Sequence, residues 1–276
     1  MREQTTTWLS SKNLVLLMIV GAVLALAGWG MGGSIGVYWE DGSFHAIRRP
    51  QLHTVSVSET LSAFTSMRLE IIGDVEVVES DNFWIEAAGE SYHELTYRIN
   101  HNGVLHVTNG EAYNRITGFN FSMGFGNMTR RGNAHRPDLS VRIGVPAGTV
   151  FEHVNIEHFS GRMSVSDVSA NHLELNSFAG TAILRNVSVA NSAHLQNFAG
   201  TLDAAGDFRG DVVVQQFAGN VAMHLPQDAS AYSHSVTRFA GSVSDLNMAH
   251  SSRADSVAHL DVTMFAGSFS TTFGNR

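Results

Sequence analysis

The sequence predicts an all-β protein, a single-stranded β-solenoid whose coils, or rungs, are about 19–22 residues long, preceded by one N-terminal transmembrane helix. Three observations indicate this fold. A Phe-small-Gly motif recurs six times, apolar residues alternate with polar ones on both sides of each copy, and no segment after residue 39 shows the 3.6-residue period of an amphipathic helix. The 276 residues also include 26 glycines and only 4 prolines, which is typical of a turn-rich β protein.

The transmembrane helix is predicted from residues 14–31, "LVLLMIVGAVLALAGWGM", which are apolar throughout. Eighteen such residues are near the minimum that spans the ~30 Å hydrocarbon core of a membrane. Basic residues precede the segment and acidic residues follow it, which favours a cytoplasmic N-terminus and an extracytoplasmic body. Ala25-Leu26-Ala27 also resembles a signal-peptidase site, so secretion after cleavage near Ala27 is the alternative.

The chain is predicted to have three parts. Residues 1–39 form the cytoplasmic N-terminus and anchor, residues 40–53 a linker, and residues 54–276 the solenoid domain. Period-2 alternation broken by glycine begins after residue 54 and predicts half-buried strands. The solenoid domain divides into N-terminal strands (54–110), a Phe/Met-rich flap (111–137) and the repeat rungs (138–276).

The repeat motif is predicted to form the inner corner of each rung. The Phe-to-Phe spacings are 19, 20, 19, 22 and 26 residues. Each Phe comes three residues after the last apolar strand position, so we expect the chain to bend there and to stack the rings in a buried column, with the glycine making the corner. A capping turn is expected at the C-terminal end, where the apolar pattern is interrupted. The motif residues are Phe159 and Gly161, Phe178 and Gly180, Phe198 and Gly200, Phe217 and Gly219, Phe239 and Gly241, and Phe265 and Gly267.

Two other features are candidates for contact with a partner. In the flap, Phe119, Phe121, Met123 and Phe125 alternate on one face, which predicts a cover over the open N-terminal end of the solenoid or, alternatively, a partner or membrane contact. A polar row stands two residues before each Phe and predicts either a solvated sheet face or an amide-rich stripe offered to glycans or to another solenoid. Its members are Glu157, Asn176, Gln196, Gln215, Thr237 and Thr263.

Composition excludes several kinds of chemistry. The chain has no cysteine, a net charge of −8 and no large basic cluster, so thiol catalysis, cysteine-based zinc sites and nucleic-acid binding are not expected. Among the 14 histidines, His153 and His158 lie five residues apart and should point to opposite faces of a strand. The outward acids, such as Glu157 and Glu174, are expected to be isolated from one another. We therefore predict no metal, no cofactor and no catalytic residues.

Several stretches resemble a known group of bacterial domains. They are "LEIIGDVEVVESDNFWIEAAG" (69–89), "GVLHVTNG" (103–110) and "LSVRIGVPAGTVFEHVNIEHFSGRMSVSDV" (139–168), followed by the Phe-Ala-Gly rungs. From residue 54 onward the chain is similar to the bacterial putative adhesin family, a group of membrane-anchored β-solenoids with short Gly-marked rungs and unknown function. The resemblance implies the fold and contributes no catalytic residues.

The sequence predicts a non-catalytic cell-surface or envelope interaction module held at the membrane through residues 14–31. Its partner is expected to be a protein or glycan at the cell surface. An accessory protein of envelope-stress signalling or transport is the alternative. A polysaccharide-acting enzyme is the remote one, because β-helical enzymes need clustered acidic or basic side chains on one sheet face.

Overall fold

A computed structural model describes residues 37–40, 43–46, 52–109, 138–244 and 255–274. The described residues form β-strands and connecting turns, with a short 3-10 turn at Ala229–Ala231, so the all-β prediction is confirmed. Among these residues no helix is long and apolar enough to span a membrane, and the anchor predicted at 14–31 lies outside them.

The strands are numbered β1 to β17 in chain order. β1 and β2 form an antiparallel hairpin that belongs to a separate compact unit, and all the other strands belong to one 15-stranded sheet. Their bounds are β1 Val37–Glu40, β2 Ser43–Ala46, β3 His53–Thr60, β4 Ser66–Ile72, β5 Asp74–Ser80, β6 Trp84–Ser91, β7 Thr96–Ile99, β8 Val104–Thr108, β9 Ser140–Pro146, β10 Val150–Ser160, β11 Arg162–Ser166, β12 Ser169–Phe208, β13 Gly210–Leu225, β14 Tyr232–Arg238, β15 Ser242–Ser244, β16 Ala258–Met264 and β17 Ser268–Phe273.

Strands one repeat apart pair in parallel, in the register that the spacing predicts. Val154 of β10 pairs with Leu173 of β12, and Leu195 of β12 pairs with Val214 of β13. Each repeat therefore contributes one strand before its glycine corner (the first arm) and one after it (the second arm). The sheet curls at the corners, so that the two arms enclose the core between them. β12 continues through two corners without interruption.

The rungs are not stacked in chain order. β13 pairs with β16 and β17, and these pair on their other side with β14 and β15. The last repeat in the sequence is therefore inserted between its two predecessors. Among the described strands, β14 and β15 form the terminal rung, which corrects the expectation that the stack ends at the C-terminal repeat.

The other end of the stack closes with antiparallel strands. β4 and β5 lie beside β10 and β11, and beyond them β8 and β9 form a further parallel rung. β7 then pairs antiparallel with β8, β6 with β9, and β3 with β6. The flap predicted at 111–137, which connects β8 to β9, lies outside the described residues.

The core lies between the two arms and consists of the alternating apolar positions. Ten of the twelve positions five and three residues before the motif phenylalanines are buried, as predicted, for example Leu175, Leu195 and Val214 at 0% exposure. Burying a side chain of this kind stabilises the fold by about 1.5–3 kcal/mol. Val236, at the matching position of the terminal rung, is 38% exposed because no described rung lies beyond it.

The corner glycines have the backbone conformation that the motif predicts. φ is +115° at Gly180, +140° at Gly200 and +110° at Gly219, a region that side-chain-bearing residues rarely adopt. A Cβ on Gly200 would also lie 2.2 Å from the carbonyl oxygen of Gly180 in the neighbouring rung. Gly73, at φ +138°, is an additional corner between β4 and β5, and it escaped the motif search because Ile72 rather than a Phe-small pair precedes it.

Candidate binding surface

The motif phenylalanines lie on the outside of the sheet, so the prediction of an inward column of rings was wrong. Phe178, Phe198 and Phe217 are 50%, 38% and 46% exposed, and Phe239 is 79% exposed. The strand keeps its two-residue alternation for one residue longer than expected. The residue before the Phe therefore takes the inward position, as buried Ser177 does, and the ring points outward; the exception is Arg238 of the terminal rung, which is exposed.

The rings do form the predicted column, and five of them make up what we call the phenylalanine ladder. Adjacent ring centroids are 4.6 to 5.0 Å apart and the ring planes differ by only 1–6°. The spacing equals the distance between neighbouring strands, because in-register pairing places each ring above the next. The four intervals give a strip about 19 Å long. In spatial order the ladder is Phe178, Phe198, Phe217, Phe265 and Phe239.

Three of the polar side chains that take the inward position, those of His158, Asn197 and Gln216, bond to the corner backbone. The Gln216 side-chain amide donates to the carbonyl oxygens of Gly219 and Ser268, and that of Asn197 donates to Gly200. His158, 1% exposed, places Nε2 3.2 Å from the carbonyl oxygen of Gly73. Burial lowers the pKa of His158, an effect that this hydrogen bond partly opposes. The imidazole is therefore held neutral inside the corner.

The polar rows on each side of the ladder carry no charged side chain along its length. The row two residues before each Phe is the predicted amide row, and within it Gln196 Nε2 donates to Gln215 Oε1 at 2.9 Å. The row three residues after each Phe lies on the second arm, where Ser268 donates to Asn220. In ladder order the first row is Asn176, Gln196, Gln215, Thr263 and Thr237, and the second is Thr181, Thr201, Asn220, Ser268 and Ser242.

An open groove lies beside the ladder at its β10 end. Its volume is about 340 Å³, and it is lined by Asn176 and Gln196 of the amide row, by Glu157, which precedes that row on β10, and by the rings of Phe159, Phe178 and Phe198. Apolar ring edges and hydrogen-bonding side chains therefore meet in one concave strip. This combination suits a ligand or partner that has both apolar and polar groups.

A cluster of charged side chains lies at the β4 end of the first arm, and sequence reasoning missed it. Glu70 pairs in register with Glu157, Arg68 Nε contacts Glu70 at 2.7 Å, and His106 Nε2 lies 3.5 Å from the same carboxylate. Burial raises the pKa of Glu157, and the nearby Glu70 raises it further. The expectation of isolated outward acids is therefore corrected: Glu157 has Glu70 beside it, and Glu174 accepts a hydrogen bond from Asn155.

The histidines of the first arm take the faces that their spacing predicts. His158 is buried and His153 is exposed, on opposite faces of β10. His153 stacks on His172 of the next rung with ring centroids 4.8 Å apart, a pair that follows from their shared position six residues before a Phe. In the part of the chain that the structure describes, no group of three or more His, Asp or Glu side chains could hold a metal ion.

The flap residues predicted as a possible partner contact are not placed by the structure. Phe119, Phe121, Met123 and Phe125 all lie outside the described residues. Their contact role stays a prediction. The exposed phenylalanine ladder, which the sequence analysis assigned to the core, is the candidate contact surface among the described residues.

Comparisons with known proteins give distant likenesses. No family model matches the chain, and no curated protein matches it either. Among solved structures, a putative cell adhesion protein from Clostridium sporogenes is 10% identical, with a TM-score of 0.46, and the match covers 80% of this chain and 100% of that one. A putative adhesin from Bacteroides fragilis is 8% identical, with a TM-score of 0.33 and coverage of 81% and 99%. At these TM-scores the likenesses do not establish a shared fold or function, so the function proposed below rests on the geometry of the chain itself.

Proposed function

We propose that the protein is a non-catalytic interaction module of the cell surface or envelope, a β-solenoid held at the membrane through residues 14–31. The phenylalanine ladder and its amide row are the contact surface. The partner is a protein or glycan outside the cytoplasm. The observation that carries this proposal is the outward position of five stacked rings on a rigid parallel sheet.

The exposed area of the ladder supports a role in binding. A phenylalanine side chain has about 200 Å² of surface, so five rings that are roughly half exposed leave ~500 Å² of apolar area in contact with water. That is as large as the largest apolar patch on a typical monomer, and such patches are often functional. At about 25 cal/mol per Å², covering one such half-exposed ring would contribute roughly 2.5 kcal/mol before the costs of association.

The experiment compares the full-length chain with ladder and control variants on immobilised envelope material from the encoding organism. Phe198→Ser together with Phe217→Ser should reduce retention at least tenfold, with an unchanged β-sheet circular dichroism spectrum. A control variant, Ser188→Ala, lies on an exposed segment away from the ladder and should bind like the wild type. Equal retention by the ladder variant and the wild type would refute the proposal.

The carboxylate pair at the β4 end favours one second candidate, a polysaccharide-acting enzyme. Glu157 has the raised pKa expected of a general acid, and Glu70 lies beside it. Arg68 forms an ion pair with Glu70 and also reaches Glu157 at 3.6 Å, which fits a structural network equally well. Release of reducing ends from envelope polysaccharide by the wild type, abolished by Glu157→Gln, would support the enzyme, whereas no release from either protein would leave the binding module as the function.

A further inference from the structure

The phenylalanine ladder exposes ring edges rather than ring faces. Each of the three inner rings has a neighbour on both sides at 4.6 to 5.0 Å, with nearly parallel planes, so its two faces are covered. The outward surface is therefore a row of C–H edges. Sugar rings stack on open aromatic faces, and within the ladder only the two end rings, Phe178 and Phe239, have a face that no other ladder ring covers. The ladder is poorly suited to stacking a sugar at every rung.

The spacing of the ladder is itself specific. An apolar surface packs closely against it only if its own ridges repeat about every 4.8 Å, and that is the spacing of strands in a sheet. Another copy of this chain presents such a surface, with the same number of rings at the same intervals. Ring edges from two ladders can then pack against each other, rung against rung, along the full 19 Å, as side chains do between paired sheets.

The electrostatics of the strip also permit self-association. The chain carries a net charge of −8, which opposes the approach of two copies over most of the surface. The two rows that flank the ladder contain only Asn, Gln, Thr and Ser, and these can donate and accept hydrogen bonds across a self-pairing interface. An apolar centre with few charges and a polar rim is the usual anatomy of a protein interface. Arg238, which precedes Phe239 on the terminal rung, is an exposed charged residue next to that end of the strip.

The area of the strip predicts a weak dimer. The ladder offers ~500 Å² per copy, and its flanking rows add to that, against about 800 Å² per partner in a standard stable interface. Association should therefore depend on protein concentration. A dimer related by a two-fold axis uses the same patch twice, so the central ring, Phe217, would lie opposite its own copy.

We propose that the partner of the phenylalanine ladder is a second copy of this chain, bound ladder against ladder about a two-fold axis that places the two Phe217 rungs opposite each other. The inference rests on the proposed role of the ladder as a contact surface and deepens it by naming the occupant. Gln215 and Asn220, which flank Phe217 in the two rows, then lie at the rim of the interface next to residues of the other copy.

The absence of cysteine from the chain allows a clean crosslinking test. Gln215→Cys and Asn220→Cys are made singly in the full-length chain and treated with a short bis-maleimide, alone and as an equimolar mixture. Antiparallel ladders bring like rows together, so each variant should crosslink to itself. Parallel ladders bring unlike rows together, so crosslinks should appear only in the mixture. Ser188→Cys, which is exposed and away from the ladder, is the matched control and should stay at least tenfold less crosslinked.

A second substitution tests whether the crosslinked dimers form through the ladder or through another surface. Adding Phe217→Ser to each cysteine variant should abolish the crosslink while the circular dichroism spectrum is retained. Crosslinking at the level of Ser188→Cys, or crosslinking that survives Phe217→Ser, would overturn the second-copy inference. If that occurs while Phe198→Ser with Phe217→Ser still loses retention on envelope material, only the identity of the partner is refuted and the proposed function stands.

Discussion

Replacement of a corner glycine tests the stacking of rungs most sharply, and Gly200→Ala is the clearest case. The added Cβ would lie 2.2 Å from the carbonyl oxygen of Gly180 and 3.0 Å from its backbone nitrogen. The carbonyl cannot simply move aside, because in this stack the corner carbonyl accepts a hydrogen bond from the next rung, as Gly161 does from Thr181 at 3.1 Å. The backbone at Gly200 also has φ of +140°, which is strained for alanine.

The expected cost follows from these two effects. A side chain in such a backbone region costs about 1–3 kcal/mol. Forcing an extra carbon into a packed site costs typically ~1–3 kcal/mol more. Gly200→Ala should therefore lower the free energy of unfolding by about 2–6 kcal/mol, a large part of the 5–15 kcal/mol that holds a domain folded.

The assay is urea unfolding followed by far-ultraviolet circular dichroism, with Gly148→Ala as the control. Gly148 also has a positive φ, +75°, but a Cβ there has no atom within 4 Å. The control should therefore show the backbone strain alone, about 1–2 kcal/mol. If Gly200→Ala costs no more than Gly148→Ala, the corner carbonyls are not in contact from rung to rung, and the reasoning about the stack is refuted.

Three further predictions concern the ladder and the two perturbed side chains. Phe239→Ala should lower the free energy of unfolding, measured in urea, by less than about 1 kcal/mol because the ring is 79% exposed. Leu195→Ala in the core should lower it by about 2–5 kcal/mol. Equal losses would contradict the outward position of the ladder. Because burial raises the pKa of Glu157, its ionised carboxylate destabilises the fold at neutral pH. Glu157→Gln should therefore raise the melting temperature at neutral pH. This gain should vanish as the pH falls to the ordinary pKa of a glutamate side chain, where the wild-type carboxyl is protonated. Because burial lowers the pKa of His158, the wild type should lose stability as the pH falls below about 6.5, the ordinary histidine pKa. The His158→Gln variant should lose less stability over the same range. If the melting temperatures of the two proteins change identically from about pH 7.5 to 5, the buried imidazole is not held neutral.

The repeat architecture could be predicted from sequence because its signals are local. Alternation such as that of Leu173 and Leu175 marks the inward positions, and a glycine after each Phe marks the corner. Both follow from chain geometry within one repeat, and the structure confirms both. The register between the first four motif copies then follows from their similar spacing of 19 or 20 residues.

The orientation of the rings could not be predicted, because it depends on contacts between distant residues. The residue before the Phe is polar in most repeats, and a polar side chain is not expected at an inward position. Burial of Gln216 is nevertheless permitted, since its amide reaches the carbonyl of Ser268, 52 residues away. With the amide nitrogen of Gln216 hydrogen-bonded inside, the strand alternation turns Phe217 outward.

The order of the rungs and the Glu70–Glu157 cluster also could not be predicted from the sequence, because both depend on which distant strands pair. The wider spacings before Phe239 and Phe265 indicate that the regular stacking of rungs ends at these copies. They do not indicate which strands pair with which. Glu70 meets Glu157 only because β4 pairs with β10, and Gly73, the corner that would have revealed this rung, has no Phe-small pair before it.

The central claim is that the phenylalanine ladder faces solvent, and hydroxyl-radical footprinting with mass spectrometry tests it most directly. The chain is labelled at a dilution where crosslinking of the rim cysteines has disappeared. Phe178, Phe217 and Phe239 should be oxidised readily, whereas Phe151 and Phe208, both fully buried, should be protected. Protection of the ladder rings to the same degree as the two buried ones would show that the ladder belongs to the core, and it would contradict the account.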